Sequence, residues 1–171
     1  RLIIPFAPGG SNDIVGRLIA MKLGERLGQQ VIVENRAGAG GVVGTEVAAK
    51  SAPDGYTILI VSAAFAFNPA LYSVPFDPIR DFAPIAKLGA GPNSFCIHPS
   101  IPANNLKEFI ALLKQKPGFY VNACSGAGSF QHLGTELFKL MTGTEFKITQ
   151  FKGGGPAMVD LLGGHSHFSL G

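Results

Sequence analysis

Charge is scarce in this 171-residue chain: 15% of its residues are charged, 14 of them basic and 11 acidic, and no basic run occurs anywhere. That withholds the electrostatic footprint of a nucleic-acid binder and leaves a net charge of +3, at most a mild preference for anionic ligands. Long apolar runs are also missing, since none reaches the about 18 residues of a membrane span. The first residues read as a buried strand with no basic-then-apolar leader, so a soluble chain is expected, any export signal having been removed from it. Cysteine is nearly absent. Cys96 and Cys124 stand 28 positions apart with no CxxC, which suggests neither a zinc site nor a disulfide scaffold. Nucleotide-binding signatures fail on spacing: after Gly38-Ala39-Gly40 the third glycine falls at 44 rather than 43, and no GxxxxGK[ST] is present.

What the chain does have is apolar content, 46% of its residues, enough to bury a substantial core in one domain or two small ones. Leu2-Ile3-Ile4-Pro5-Phe6 reads as a buried strand, and Ile14, Leu18, Met21 and Leu27 recur behind it at helical spacing. Strands are expected at 30–35 and 56–61, with a short helix over 41–51 whose glycines suit close packing. This β-α-β-α-β order, with near-continuous apolar strands, predicts an α/β fold of mainly parallel sheets with helices on both faces. From 62 to 81 prolines and aromatics break the pattern, which marks a functional or packing loop. Strands resume at 82–89 and 94–99. The Pro99 to Pro102 punctuation then places a boundary between a first domain, 1–99, and a second, 100–171. The second series predicts helices at 105–115, 129–143 and 156–164 and strands at 119–124 and 146–151, before a last strand at the end of the chain.

Three glycine turns stand between a strand and a helix: Gly9-Gly10-Ser11, Ser125 to Ser129, and Gly153-Gly154-Gly155-Pro156. Helix N-termini carry unpaired N–H groups and about half a positive charge, and so bind carboxylates or phosphates without a basic side chain. In open α/β sheets ligands sit beyond the carboxyl ends of the strands, where such turns lie. Three turns split between two domains point to a cleft with an anion at its centre. The ordinary alternative is glycine serving the backbone alone. Other candidates are thinner. Cys124 and His132 offer a thiolate–imidazole pair, but a buried inert cysteine is the commoner state. His165 and His167 lack a third metal ligand, and neither a metal nor a cofactor is expected. Asp13 falls in the first helical turn, where it caps free N–H groups or faces a ligand. Lys152 either attracts a carboxylate or is merely solvated.

Together, PFAPGGSNDIVGR (5–17), VENRAGAGGVVG (33–44), APDGYTIL (52–59), NPALY (68–72), DFAPI (81–85), SGAGSFQHLGTELF (125–138) and KGGGPAMVDLLGG (152–164) resemble the Bug-type solute receptors of tripartite tricarboxylate transporters. The similarity runs in order along essentially the whole chain. It implies a two-domain periplasmic-binding-protein-like (Venus flytrap) fold, and a periplasmic protein that closes on a small carboxylate and passes it to membrane permease subunits, without a catalytic step. The expected ligands are di- or tricarboxylates, acidic amino acids or related aromatic acids. Carried over from the family, the first-domain loop is Phe6, Ala7, Pro8, Gly9 and Gly10, with Asp13 behind it and a ligand carboxylate or its waters against bare backbone. Ser62, Ala63, Ala64 and Asn68 would line the same side. Ser125, Gly126, Ala127, Gly128, Ser129 and His132 would face them from the second domain, with Lys152, Gly153 and Gly154. Cys124 and Asn122 stand where the family often has Ser or Ala and Tyr, and Ala37 replaces a frequent Pro. Family members continue past this point, so a C-terminal part is expected to be missing, with exposed apolar surface that favours dimerisation. Two rivals share the fold: a hydrolase or transferase using Cys124 and His132, and a ligand-sensing receptor for a membrane signalling partner.

Both cysteines fall in apolar strands, and a bridge needs Cα atoms within about 7 Å and suitably directed side chains. Thiol titration of denatured protein prepared without reductant is expected to find two free thiols. Finding none, with a monomeric mass on a non-reducing gel, would refute this.

Overall fold

Successive side chains of a strand point to opposite faces, so the fully buried run Leu2–Ile4 (β1) requires cover on both sides. The computed structural model, which describes residues 1–171, provides it. β1 is the middle strand of a parallel sheet, between β2 (Val33–Asn35) and β3 (Ile58–Leu59). Helices α1 (Ser11–Leu27) and α2 (Val42–Ala49) pack on β1, the latter after a 3-10 turn at Ala39–Gly41. Leu2, Ile4, Ala20 and Ile60 form this sheet's core.

The second sheet is ordered β4-β7-β5-β6, built from β4 (Phe95–Ile97), β5 (Val121–Cys124), β6 (Lys147–Gln150) and β7 (Phe168–Leu170). β5 is parallel to β6 and β7, whereas β4 runs antiparallel to β7. Its core is aromatic: Phe109 on α4 (Leu106–Gln115) meets Phe168 edge to face at 4.9 Å, and Phe146 meets Phe168 likewise at 4.9 Å. Such pairs stabilise by about 0.5–1.5 kcal/mol beyond the area they bury. α4 starts where its sequence says it should, because the Asn105 side chain accepts from the Glu108 N–H at 3.0 Å while the Glu108 carboxylate accepts from the Asn104 N–H at 2.7 Å. α5 (Phe130–Thr142) and α6 (Gly154–Leu162) complete this half. No helix is long and apolar enough to cross a membrane. The architecture is mixed α/β with mainly parallel sheets, β4 being the one antiparallel strand.

The structure departs from the sequence reading at three places, for physical reasons. The helix marked by Ile14, Leu18 and Met21 forms as α1, but these residues point outward, Ile14 being 63% and Leu18 55% exposed, while Asp13, Gly16 and Ala20 are buried. Closeness explains this: a Cβ on Gly16 would lie 2.6 Å from Ile4 Cδ1, so the helix sits against β1 through its smallest residues. The expected strand at 82–89 does not form, because no strand lies beside it to complete a ladder, and Ile85 is left 80% exposed. The segment 62–81, read as a loop, contains α3 (Ala64–Leu71), with Pro69 inside it. The segment does pack, through Phe65 of α3 and Phe76, which meet Phe82 at 5.2 Å and 5.9 Å. The strand expected at 94–99 does form, but it pairs with β7. The two sheets therefore divide within the exposed stretch before residue 95 rather than after residue 99.

Gly44 of α2 faces rigid backbone, since a Cβ there would lie 2.7 Å from the Arg36 carbonyl oxygen and 2.7 Å from Pro5 Cα. Gly44→Ala is expected to destabilise the protein by about 1–3 kcal/mol through overpacking. Gly89→Ala, which meets nothing within 4 Å, should stay within about 0.5 kcal/mol of the parent. Urea unfolding of the two variants checks the contrast, and equal midpoints would show that α2 does not need this close approach.

Candidate functional site

Each glycine turn leaves the carboxyl end of a strand and opens a helix: Gly9-Gly10 between β1 and α1, Ser125–Ser129 between β5 and α5, and Phe151–Gly153 between β6 and α6. The fold brings all three together. The Ala7 N–H donates to the Lys152 carbonyl across the two sheets at 2.8 Å. The Gly10 Cβ position lies 3.4 Å from the N atoms of both Gly154 and Gly155. A Cβ on Gly155 would overlap the Pro8 carbonyl oxygen, and one on Gly40 would overlap the Ala127 carbonyl oxygen. Residues Phe6–Gly10 thus meet Lys152–Gly155, and the Gly40 turn meets Gly126–Gly128. The space expected above Gly9 and Gly10 is filled by the backbone of the α6 N-terminus. With glycine on both sides, no side chain holds the two turns apart.

The electrostatics of this junction come from backbone. α1 and α6 have glycine N-caps, Gly10 and Gly153, and neither receives a side-chain cap. Their positive ends therefore face each other across the junction. Lys152 joins it through its carbonyl, while its side chain is exposed. α5 is capped internally, the Ser129 hydroxyl accepting from the His132 N–H at 3.1 Å.

Asp13 is a brace. Its buried carboxylate accepts from the Gly9 N–H at 3.0 Å, from Arg17 Nε at 3.0 Å and from Asn35 Nδ2 at 2.9 Å. Burial by itself would raise its pKa. The hydrogen bonds from Arg17, Gly9 and Asn35, with the Arg17 charge, outweigh burial and hold it below the usual carboxylate value. All of these contacts pin the Gly9 turn onto α1 and β2.

His132 also braces, its Nδ1 accepting from the Gly128 N–H at 3.3 Å. Cys124 is buried with its Sγ 3.7 Å from the Ser129 hydroxyl, and burial raises its pKa, so it stays a thiol. Its polar neighbours are Ser129 and Gly126, not His132, and no nucleophile–base pair forms. Ser125 binds Gln131 Oε1 at 2.7 Å, and Ser62 accepts from the Ala64 N–H at 3.3 Å in the turn that starts α3, next to Ala63. His167 is held by β5, with its Nδ1 accepting from the Val121 N–H at 3.0 Å. Cys96 and Cys124 are both free thiols. A separate open groove of about 640 Å³ lies between the later turns of α1 and the segment leading into β2, lined by residues such as Arg17, Met21, Glu25 and Ile32, away from the glycine turns.

Two residues at the junction escape the sequence reading. Gly40 stands in a glycine run that could have flagged it, as Gly155 is flagged within the third turn, but Tyr72, which packs on Gly128, carries no such signal.

Asp13→Asn keeps the shape but loses the ion pair, and is expected to cost about 1–3 kcal/mol at neutral pH. Because the folded pKa is depressed, the carboxylate's contribution is complete above the ordinary aspartate value of about 4 and is lost as pH falls through the folded value. The gap between variant and parent should therefore shrink on acidification in urea melts. A gap that is constant or grows toward low pH would contradict the brace.

The description "Tripartite tricarboxylate transporter family receptor" belongs to the family profile that residues 15–170 match. BugT of Bordetella pertussis is 44% identical over 167 residues, which cover 96% of this chain and 51% of BugT. Among solved structures, R. palustris Rpa4515 with adipate is 34% identical at a TM-score of 0.94, with 99% of this chain and 57% of that one covered. MatC from Rhodopseudomonas palustris, with bound malate, is 29% identical at a TM-score of 0.89, with coverage of 99% and 58%. The chain spans about half the length of the curated relatives it matches. With a profile match over most of its residues and the same fold, the chain belongs to the tripartite tricarboxylate transporter receptor family.

Proposed function

We propose that this chain is the ligand-capturing part of an extracytoplasmic receptor, periplasmic like its relatives, that binds a small carboxylate between its two sheets and delivers it to the permease subunits of a tripartite tricarboxylate transporter. The observation that carries this reading is the meeting of the uncapped N-termini of α1 and α6 at the carboxyl ends of both sheets. Two positive helix ends brought together favour an anion between them. The adipate and malate in the two R. palustris structures support a carboxylate as that anion. The reading contains no catalytic step. Binding requires the turns to part far enough to admit the carboxylate, so the backbone groups that touch each other in the closed arrangement are those offered to the ligand.

Gly10 has a φ of −83°, which a side chain tolerates, so a substitution there acts through space rather than strain. Gly10→Val is expected to weaken carboxylate binding at least tenfold, about 1.4 kcal/mol. Lys152→Met, which leaves the backbone donors in place, should cost less. Calorimetry on the full-length gene product with a panel of organic acids and acidic amino acids ranks the two, after circular dichroism and thermal melts confirm that both fold. A larger loss in Lys152→Met would mean that a side-chain ion pair holds the anion. Absence of binding by any carboxylate would end the receptor reading.

A further inference from the structure

Asn68 on α3 is 1% exposed, and its Nδ2 donates to the Gly40 carbonyl at 3.2 Å. Its Oδ1 is the one buried side-chain nitrogen or oxygen atom without a hydrogen-bond partner. A buried amide oxygen left unpaired costs about 1–3 kcal/mol, so each such atom calls for an explanation. With the amide nitrogen committed to Gly40, this oxygen acts only as an acceptor. It points to the second domain's glycine turn: the Gly128 Cβ position lies 2.9 Å from Asn68 Oδ1 and 3.1 Å from the Tyr72 hydroxyl. The neighbouring backbone donor is already used, because the Gly128 N–H donates to His132. Asn68 also borders the turn that follows β1, since a small cavity of about 10 Å³ is lined by both Asn68 and Phe6, with Gly40 and Ser62.

We propose that Asn68 Oδ1 and the Tyr72 hydroxyl form an acceptor subsite for a hydrogen-bond donor carried by the ligand, so that the preferred ligand is a hydroxy- or amino-substituted carboxylate rather than an unsubstituted one. The inference rests on the carboxylate-receptor reading and adds the second half of the ligand. Helix N-termini and backbone N–H groups recognise the carboxylate but cannot accept from a hydroxyl or ammonium hydrogen, and the Lys152 carbonyl at the junction already accepts from the Ala7 N–H. Asn68 Oδ1, on the side of the junction that carries Gly40 and Phe6, supplies an unpaired side-chain acceptor. Gly128 covers both oxygens in the closed arrangement and, lacking a side chain that would stay against them, uncovers them when the turns part. A site with a buried acceptor discriminates against a ligand that leaves the acceptor unpaired. The competing occupant is one buried water, for which a cavity of this size has about enough room.

Calorimetry on the full-length gene product, with acids matched in chain length, separates the two occupants. The probes are malate and aspartate against succinate, and 2-hydroxyglutarate and glutamate against glutarate. The expected result is a substituted acid binding roughly tenfold or more tightly than its unsubstituted partner in at least one series. Asn68→Leu should reduce that ratio to within about threefold, and Tyr72→Phe should lower it by a smaller factor. Equal affinities within both series of the parent protein would overturn the subsite and assign the oxygen to a water. So would a preference kept intact in a folded Asn68→Leu. Should Asn68→Leu fail to fold, the parent ratios and Tyr72→Phe decide, an unchanged ratio in Tyr72→Phe counting against the proposal. If no acid of either kind binds, the receptor reading itself falls. That outcome differs from equal binding of both kinds, which removes only the subsite.

Discussion

Everything at the candidate site depends on one contact between main chains, the Ala7 N–H donating to the Lys152 carbonyl at 2.8 Å, and on the glycines that let it form. Backbone comes this close to backbone where a glycine on at least one side removes the Cβ that would otherwise intrude. Gly10 opposite Gly154 and Gly155, and Gly40 opposite the Ala127 carbonyl, do so at two separate points. The consequence is a junction made of N–H and C=O groups, whose chemistry is that of helix ends and not of particular side chains. It also fixes which ends of the sheets face each other. Parallel strands deliver their turns at one edge, so β1, β5 and β6 bring all three turns into the same junction.

Joining two helix N-termini has an electrostatic cost, because partial positive charges of about half a unit are brought together. Asp13 does not relieve it. Its carboxylate is consumed by Arg17, Asn35 and the Gly9 N–H, and the pair it makes with Arg17 is neutral. What Asp13 supplies is rigidity, since the Gly9 turn, at a φ of +84°, is clamped to the first turn of its own helix and to β2. A flexible glycine turn would lose entropy each time it bound an anion, and a clamped one has lost it already on folding. The helix ends can then act as preorganised donors.

How much of this was legible in the sequence depends on which physical signal each element carries. α4 and α5 announce themselves through a cap and a hydrophobic stripe together, Asn105 with Glu108 and Ser129 with its partner at His132. In α1 the same stripe misleads. Ile14, Leu18 and Met21 have the right spacing, yet proximity to β1 selects Gly16 and Ala20, and periodicity registers apolar side chains rather than small ones. α3 was hidden by Pro69, and the absent strand at 82–89 shows that apolar composition without a neighbouring strand does not make a sheet. At the junction the glycine turns could be read because glycine is itself the signal. Tyr72 could not, since its relation to Gly128 is a contact between elements far apart in the chain.

A second meeting point gives the closed arrangement its orientation. Phe67 of α3 stacks on Phe130 at the start of α5, with ring centroids 6.4 Å apart, close to where Tyr72 packs on Gly128. One backbone hydrogen bond would leave the two halves free to swivel about it. Adding an aromatic contact from a different helix removes that freedom, because a rotation that preserves Ala7–Lys152 shears the phenylalanine rings apart. Stacked rings resist shear only weakly, by about 0.5–1.5 kcal/mol, whereas overlap of a carbonyl oxygen with a Cβ would be prohibitive. The glycines therefore set whether the halves can meet, and the aromatic pair biases the angle at which they do.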